Sequence, residues 1–137
     1  METRLARKSA AALEPEPATP ATKCPLTAAI NAIGGKWSLI CLYWLDSGTR
    51  RFNELRRLMP DISHKVLAAT LRSLESEGLI SRTVYAEVPP RVEYSISSHG
   101  VTVLPILQAV RAWGHKHLEW KQLSDQGNAE DRRTNRS

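Results

Sequence analysis

At 137 residues, 42% of them hydrophobic, the chain is long enough for one domain around one core and too apolar to remain unfolded. It has no apolar run of about 18 residues and no signal peptide, which predicts a cytoplasmic protein with no membrane partner. Nineteen basic against 14 acidic residues give a net charge of +5, a sign that suits nucleic acid but is too small to identify it, and two cysteines do not make a disulfide framework.

In chain order, residues 1–23 are rich in Ala, Pro, Thr and charge. Prolines at 15, 17 and 20 deny a continuous helix, and this segment is expected to be a disordered tail. The ordered domain is expected over residues 24–120, followed by a polar, disordered C-terminal tail over 121–137. Leu26, Ala29, Ile30 and Ile33 recur at helical spacing, and Gly34-Gly35 ends that helix. "KWSLICLYWL" is apolar almost all round, the pattern of a helix buried in the middle of a domain. Phe52, Leu55, Leu58 and Met59 mark a third, short helix that Pro60 stops. Ser63 is placed to cap a fourth helix, which Gly78 ends. "LISRTVY" and "RVEYSI" read as two strands of a hairpin with "AEVPP" as its tip. Ser97 or Ser98 then caps a long last helix reaching roughly to Trp120, with Pro105 kinking it or delaying its start. The fold class is mainly α with a small β-hairpin: a winged helix-turn-helix with extra N- and C-terminal helices.

The fourth helix carries the functional argument. At about 100° per residue, Leu67, Leu71 and Leu74 share one narrow arc, with Val66 and Thr70 at its edge. Lys65, Ala68, Ala69, Arg72 and Ser76 fall opposite. Small residues flanked by two cations let a helix approach another surface closely, and the major groove of B-DNA admits an α-helix. Alanine methyls can touch thymine methyls, and Arg72 can reach a guanine in bidentate fashion. The preceding helix would cross the backbone. Arg51 before that helix, Ser63 and His64 at the start of the fourth, and Arg91 beside the Pro89-Pro90 wing complete the expected DNA-contacting set. Arg82 and Glu93 lie on neighbouring strands, where a structural ion pair competes with DNA contact.

At this point the sequence resembles the HxlR-type winged-helix transcriptional regulators, distant relatives of the MarR group. The resemblance rests on "CP" at Cys24-Pro25, "GGKW" at Gly34 to Trp37, "RFNELRR" at Arg51 to Arg57, "IS" and then "L…TLRSLESEGLISR" from Ile62 to Arg82, "PPRVEYSIS" at Pro89 to Ser97, and "G…LPIL…W" from Gly100 to Trp113. Each piece is weak alone; their order and spacing are specific. Ser97 stands where threonine is common and His99 where a charged residue is usual. The resemblance implies a homodimer on a roughly palindromic operator in double-stranded DNA, with the Ser63 helix in the major groove and the Arg91 wing beside it. It implies dimerisation through the first helix, with Leu26 and Ile30, and the last. It also implies a response to oxidants, electrophiles or small-molecule metabolites, for which Cys24 is the candidate sensor.

The residues support two of these points separately. Val103, Ile106, Val110, Trp113, His117 and Trp120 follow a 3-4-3-4-3 spacing, a coiled-coil-like seam for a partner helix. Cys24 precedes Pro25, a residue favoured in a first helical turn, so its thiolate would face the positive end of a helix dipole. Cys41, mid-way along the buried helix, reads as core. His115 and His117 point to different sides of their helix and no acid or cysteine completes a set, so neither metal nor cofactor is expected. There is no Ser-His-Asp ordering, no paired carboxylates and no phosphate loop, which argues against an enzyme. The leading reading is a dimeric, sequence-specific DNA-binding regulator, most simply a repressor. The alternative is a winged-helix protein-interaction module that does not bind DNA.

Overall fold

The computed structural model describes residues 24–134; the expected N-terminal tail, residues 1–23, lies outside them. The described residues form helices α1 (Pro25–Ile33), α2 (Ser38–Asp46), α3 (Phe52–Leu58) and α4 (His64–Ser76), strands β1 (Ile80–Tyr85) and β2 (Arg91–Ile96), a one-turn helix α5 (Ser98–Val101) and a long helix α6 (Leu104–Thr134). This is a winged helix-turn-helix with an added helix at each end.

Helix α2 is the hub. Cys41, Leu42 and Leu45 are buried to 1% exposure or less, and the helix packs against α3, α4, β2 and α6. Leu55 and Met59 come in from α3, Leu67, Leu71 and Leu74 from α4, and Leu79 and Ile80 from the start of the hairpin. The α3–α4 turn is pinned by Ile62, itself buried, whose N–H donates to the Met59 carbonyl at 3.1 Å.

Both ends of α4 follow from single residues. The Ser63 hydroxyl accepts from the Val66 N–H at 3.1 Å, satisfying an otherwise orphaned donor. At the other end Gly78 takes φ +75°. That conformation lets the Leu79 N–H reach the Leu74 carbonyl and the Gly78 N–H the Glu75 carbonyl, both at 2.9 Å. This is the Schellman pattern, closed by contact between buried Leu74 and Leu79.

The strands pair antiparallel, with Ile80 opposite Ile96, Arg82 opposite Tyr94, and Tyr85 opposite Arg91. Arg50 adds a bridge to the outer edge of β2, exchanging both backbone hydrogen bonds with Tyr94 at 2.8 and 2.9 Å. The hairpin is thereby tied to the chain that leads into α3.

The C-terminal region departs from expectation in three ways. First, Ser97 caps only the one-turn α5, accepting from the Gly100 N–H at 2.9 Å; Pro105, one of whose expected effects is to delay the long helix, does so as the second residue of a separate α6, where its missing N–H costs nothing. A Cβ on Gly100 would collide with the Leu79 carbonyl oxygen, so this close crossing of α5 over the hairpin base requires glycine. Second, α6 does not end near Trp120 but continues to Thr134. Residues 121–134 hold no proline, and Arg132 and Arg133 in the last turn complement the helix dipole. Third, Val103 is not part of an exposed seam. It is 8% exposed and joins Leu107 in the core, because the turn before α6 directs the first apolar arc of the helix onto α2.

Candidate nucleic-acid interface

Helix α4 has the two-sided character its sequence requires. Leu67, Leu71 and Leu74 are at most 2% exposed. On the other flank Lys65, Ala69, Arg72 and Ser76 are exposed and Ala68 is half-buried. Neither Lys65 nor Arg72 has an ion-pair partner among the described residues. An unpaired cation on a smooth helix face keeps its full field for an incoming anion. The i, i+4, i+7 spacing of Lys65, Ala69 and Arg72 keeps them on one side over two turns.

The surroundings contribute unequally. Arg51 is exposed at the N-terminus of α3, and its backbone N–H donates to the Glu54 carboxylate at 3.2 Å. Its guanidinium, like those of exposed Arg56 and Arg57, has no ion-pair partner among the described residues. Arg50 is committed to structure: it donates to the Ser47 hydroxyl at 2.9 Å and sits 4.0 Å from Glu54. The Ser63 oxygen serves the cap, leaving its hydroxyl proton to donate elsewhere. His64 is exposed and rests on the Phe52 ring at 4.5 Å, which holds the imidazole at the α3–α4 junction.

In the wing, Arg91 opens β2, as the strand reading of "RVEYSI" expects, but it is not free: its guanidinium lies over the Tyr85 ring at 4.0 Å, and it meets Glu87 at 3.4 Å and Glu93 at 3.6 Å. Two local carboxylates offset the charge it would offer a phosphate. Arg82, by contrast, does not pair with Glu93. The register sets Arg82 opposite Tyr94 and Thr83 opposite Glu93, so Arg82 and Glu93 occupy opposite hairpin faces. Arg82 borders a cleft of about 340 Å³ together with Ala68, Leu71, Arg72, Glu75 and Tyr94. Composition could not distinguish Arg82 from Arg91; strand register does.

The remaining expected site residues are carried by α1 and α6. Leu26 and Ile30 on α1 are 71% and 58% exposed, and Ile106, Val110, Trp113 and Trp120 on α6 are between 46% and 63% exposed. His117 is stacked between Trp113 at 4.8 Å and Trp120 at 5.8 Å. Cys24 is the half-buried N-cap residue of α1, directly before Pro25. No disulfide joins it to buried Cys41, whose thiol is pushed by burial from 9.0 up to about 12. No group of three or more His, Cys, Asp or Glu side chains suited to a metal occurs among the described residues, and none of the helices there is long and apolar enough to cross a membrane.

Comparison with known proteins agrees with this geometry. Residues 32–122 match the HxlR-like helix-turn-helix family. An uncharacterised HTH-type transcriptional regulator of Methanothermobacter thermautotrophicus is 50% identical over 91 residues, covering 66% of this chain and 70% of that protein. Among solved structures, the redox regulator HypR in its oxidised form superposes with a TM-score of 0.65 at 43% identity, covering 68% of this chain and 96% of HypR. The HTH-type regulator ytcD gives a TM-score of 0.67 at 44% identity, covering 70% and 98%. The open cationic flank of α4, the hairpin beside it and these likenesses meet in one conclusion: the chain belongs to the HxlR-like helix-turn-helix family and is a transcriptional regulator rather than an enzyme.

Proposed function

We propose that two copies of this chain bind one roughly palindromic operator, each placing α4 in a major groove, and that occupancy represses the adjacent gene. The observation that carries the reading is the open flank of α4, where Lys65 and Arg72 stand exposed and unpaired beside Ala68 and Ala69. In this arrangement Ala68, Ala69 and Arg72 face base edges. Arg51, Ser63, His64 and Lys65 hold the phosphates on either side of the helix. An acidic or apolar flank would favour a protein-binding role, and α4 has neither.

Dimerisation is supported by the apolar side chains that α1 and α6 leave uncovered: Leu26, Ile30, Ile106, Val110, Trp113 and Trp120. His117, stacked within the aromatic run, belongs to the same face. Several large apolar side chains left exposed along a helix mark an interface, and a two-fold pair of α4 helices matches two half-sites.

Cys24 is the proposed oxidant sensor. Its position before α1 favours a thiolate, it adjoins the proposed dimer surface, and the related HypR is a redox regulator. A peroxide would convert the thiolate to sulfenic acid, expelling hydroxide. Gel shifts on the upstream region of its own gene, at about 50 and 200 mM salt, test the whole reading. The wild type binds and weakens steeply with salt; Arg72→Ala loses roughly 1–3 kcal/mol and relaxes sequence preference; Cys24→Ser binds but no longer responds to peroxide. Absence of any DNA complex at low salt would refute it.

A further inference from the structure

We infer that Arg82, on the first strand of the wing, grips a DNA phosphate at the mouth of the cleft between the wing and α4, and that Arg91 is a structural brace of the hairpin. The inference rests on the DNA-binding reading above and assigns a contact within it.

Three observations converge. First, Arg82 is exposed and has no ion-pair or hydrogen-bond partner among the described residues. Second, strand register turns it away from Glu93 and sets it opposite Tyr94, on the side of the hairpin that closes a cleft with Ala68, Arg72 and Glu75 of α4. Third, the other arginine of the paired strands is already matched: Arg91 faces Glu87 and Glu93 and lies on Tyr85. A guanidinium sandwiched in this way must break two charge contacts before it can reach a phosphate, whereas Arg82 breaks none.

The position also suits the ligand. A helix seated in the major groove is bordered on each side by a phosphate backbone. The cleft joins the groove-facing flank of α4 to the base of the wing, so a strand running along that border meets Arg82 as Arg72 reaches inward. A planar guanidinium matches a phosphate with two parallel N–H donors. Glu75, the carboxylate bordering the same cleft, lies one turn beyond Arg72 and forms no ion pair with Arg82 within 4.0 Å in this structure.

The test compares Arg82→Ala, Arg82→Lys and Arg91→Ala in the full chain, measuring affinity for operator and for unrelated duplex across a salt series. Arg82→Ala is expected to bind both duplexes about tenfold more weakly per protomer and to flatten the log–log salt slope by about 0.9 per protomer. Arg82→Lys keeps the slope, since it keeps the charge. Arg91→Ala leaves the slope unchanged and lowers the melting temperature. A slope unchanged in Arg82→Ala, a loss confined to operator DNA, or a slope that falls in Arg91→Ala would each overturn the assignment. A wild type that binds neither duplex would instead overturn the DNA-binding reading itself.

Discussion

Leu71 and Arg72 are adjacent in sequence and opposite in environment: one is 2% exposed against α2 and its neighbours, the other stands in solvent. Leu71→Ala leaves a cavity in a core that cannot close over it and should cost about 2–5 kcal/mol in denaturant unfolding. Arg72→Ala should stay within about 0.5 kcal/mol of the wild type in the same measurement, so any loss of DNA affinity reports contact rather than unfolding. Cys41 gives a pH-dependent prediction. Its folded-state value, about 12, lies above the ordinary 9.0, so the folded protein holds this proton more tightly than the unfolded chain does. The stability that follows is complete below 9.0 and lost as pH rises toward about 12. Between those limits the wild type should lose stability faster than Cys41→Ala, measured by denaturant midpoint. Equal losses would contradict the burial of the thiol.

Helix α4 was legible in the sequence down to its ends, because a serine cap, a three-leucine arc and a terminal glycine all favour the same segment. The hairpin was legible as an element but not in its register. Alternation identifies two faces without saying which face of β1 meets which face of β2, and that left the neighbours of Arg82 and Arg91 undecided. Helix α6 was the least legible. Its apolar positions run continuously from Val103 to Trp120, yet the turn at residues 102–103 gives Val103 and Leu107 to the core and leaves Ile106, Val110 and Trp113 outside. Periodicity cannot tell a stripe shared between two partners from a stripe with one. Beyond Trp120 the apolar stripe gives out, and a helix sustained mainly by its own backbone bonds leaves little trace in hydrophobic pattern. A chain ending at Lys121 should therefore melt within about 0.5 kcal/mol of the full chain, while losing helical ellipticity at 222 nm in proportion to the missing turns. A large loss of stability would mean that residues 122–134 pack on something.

Across the folded chain, α4 presents exposed cations that are unpaired among the described residues, while α1 and α6 each present exposed apolar side chains. The proposed dimer links the two surfaces, one to pair the copies and one to read each half-site: Val110→Asp should shift the protein from dimer to monomer in sedimentation equilibrium and, through lost avidity, weaken operator binding by orders of magnitude. A monomeric wild type would contradict that link. The most direct test of α4 as the DNA-reading helix is dimethyl sulfate footprinting on the upstream DNA, since the reagent marks guanine N7 in the major groove. Two protected major-groove patches, about one helical turn or a multiple of it apart, should appear with wild-type protein and fade with Arg72→Ala. A bound complex that leaves every major-groove guanine reactive would contradict it.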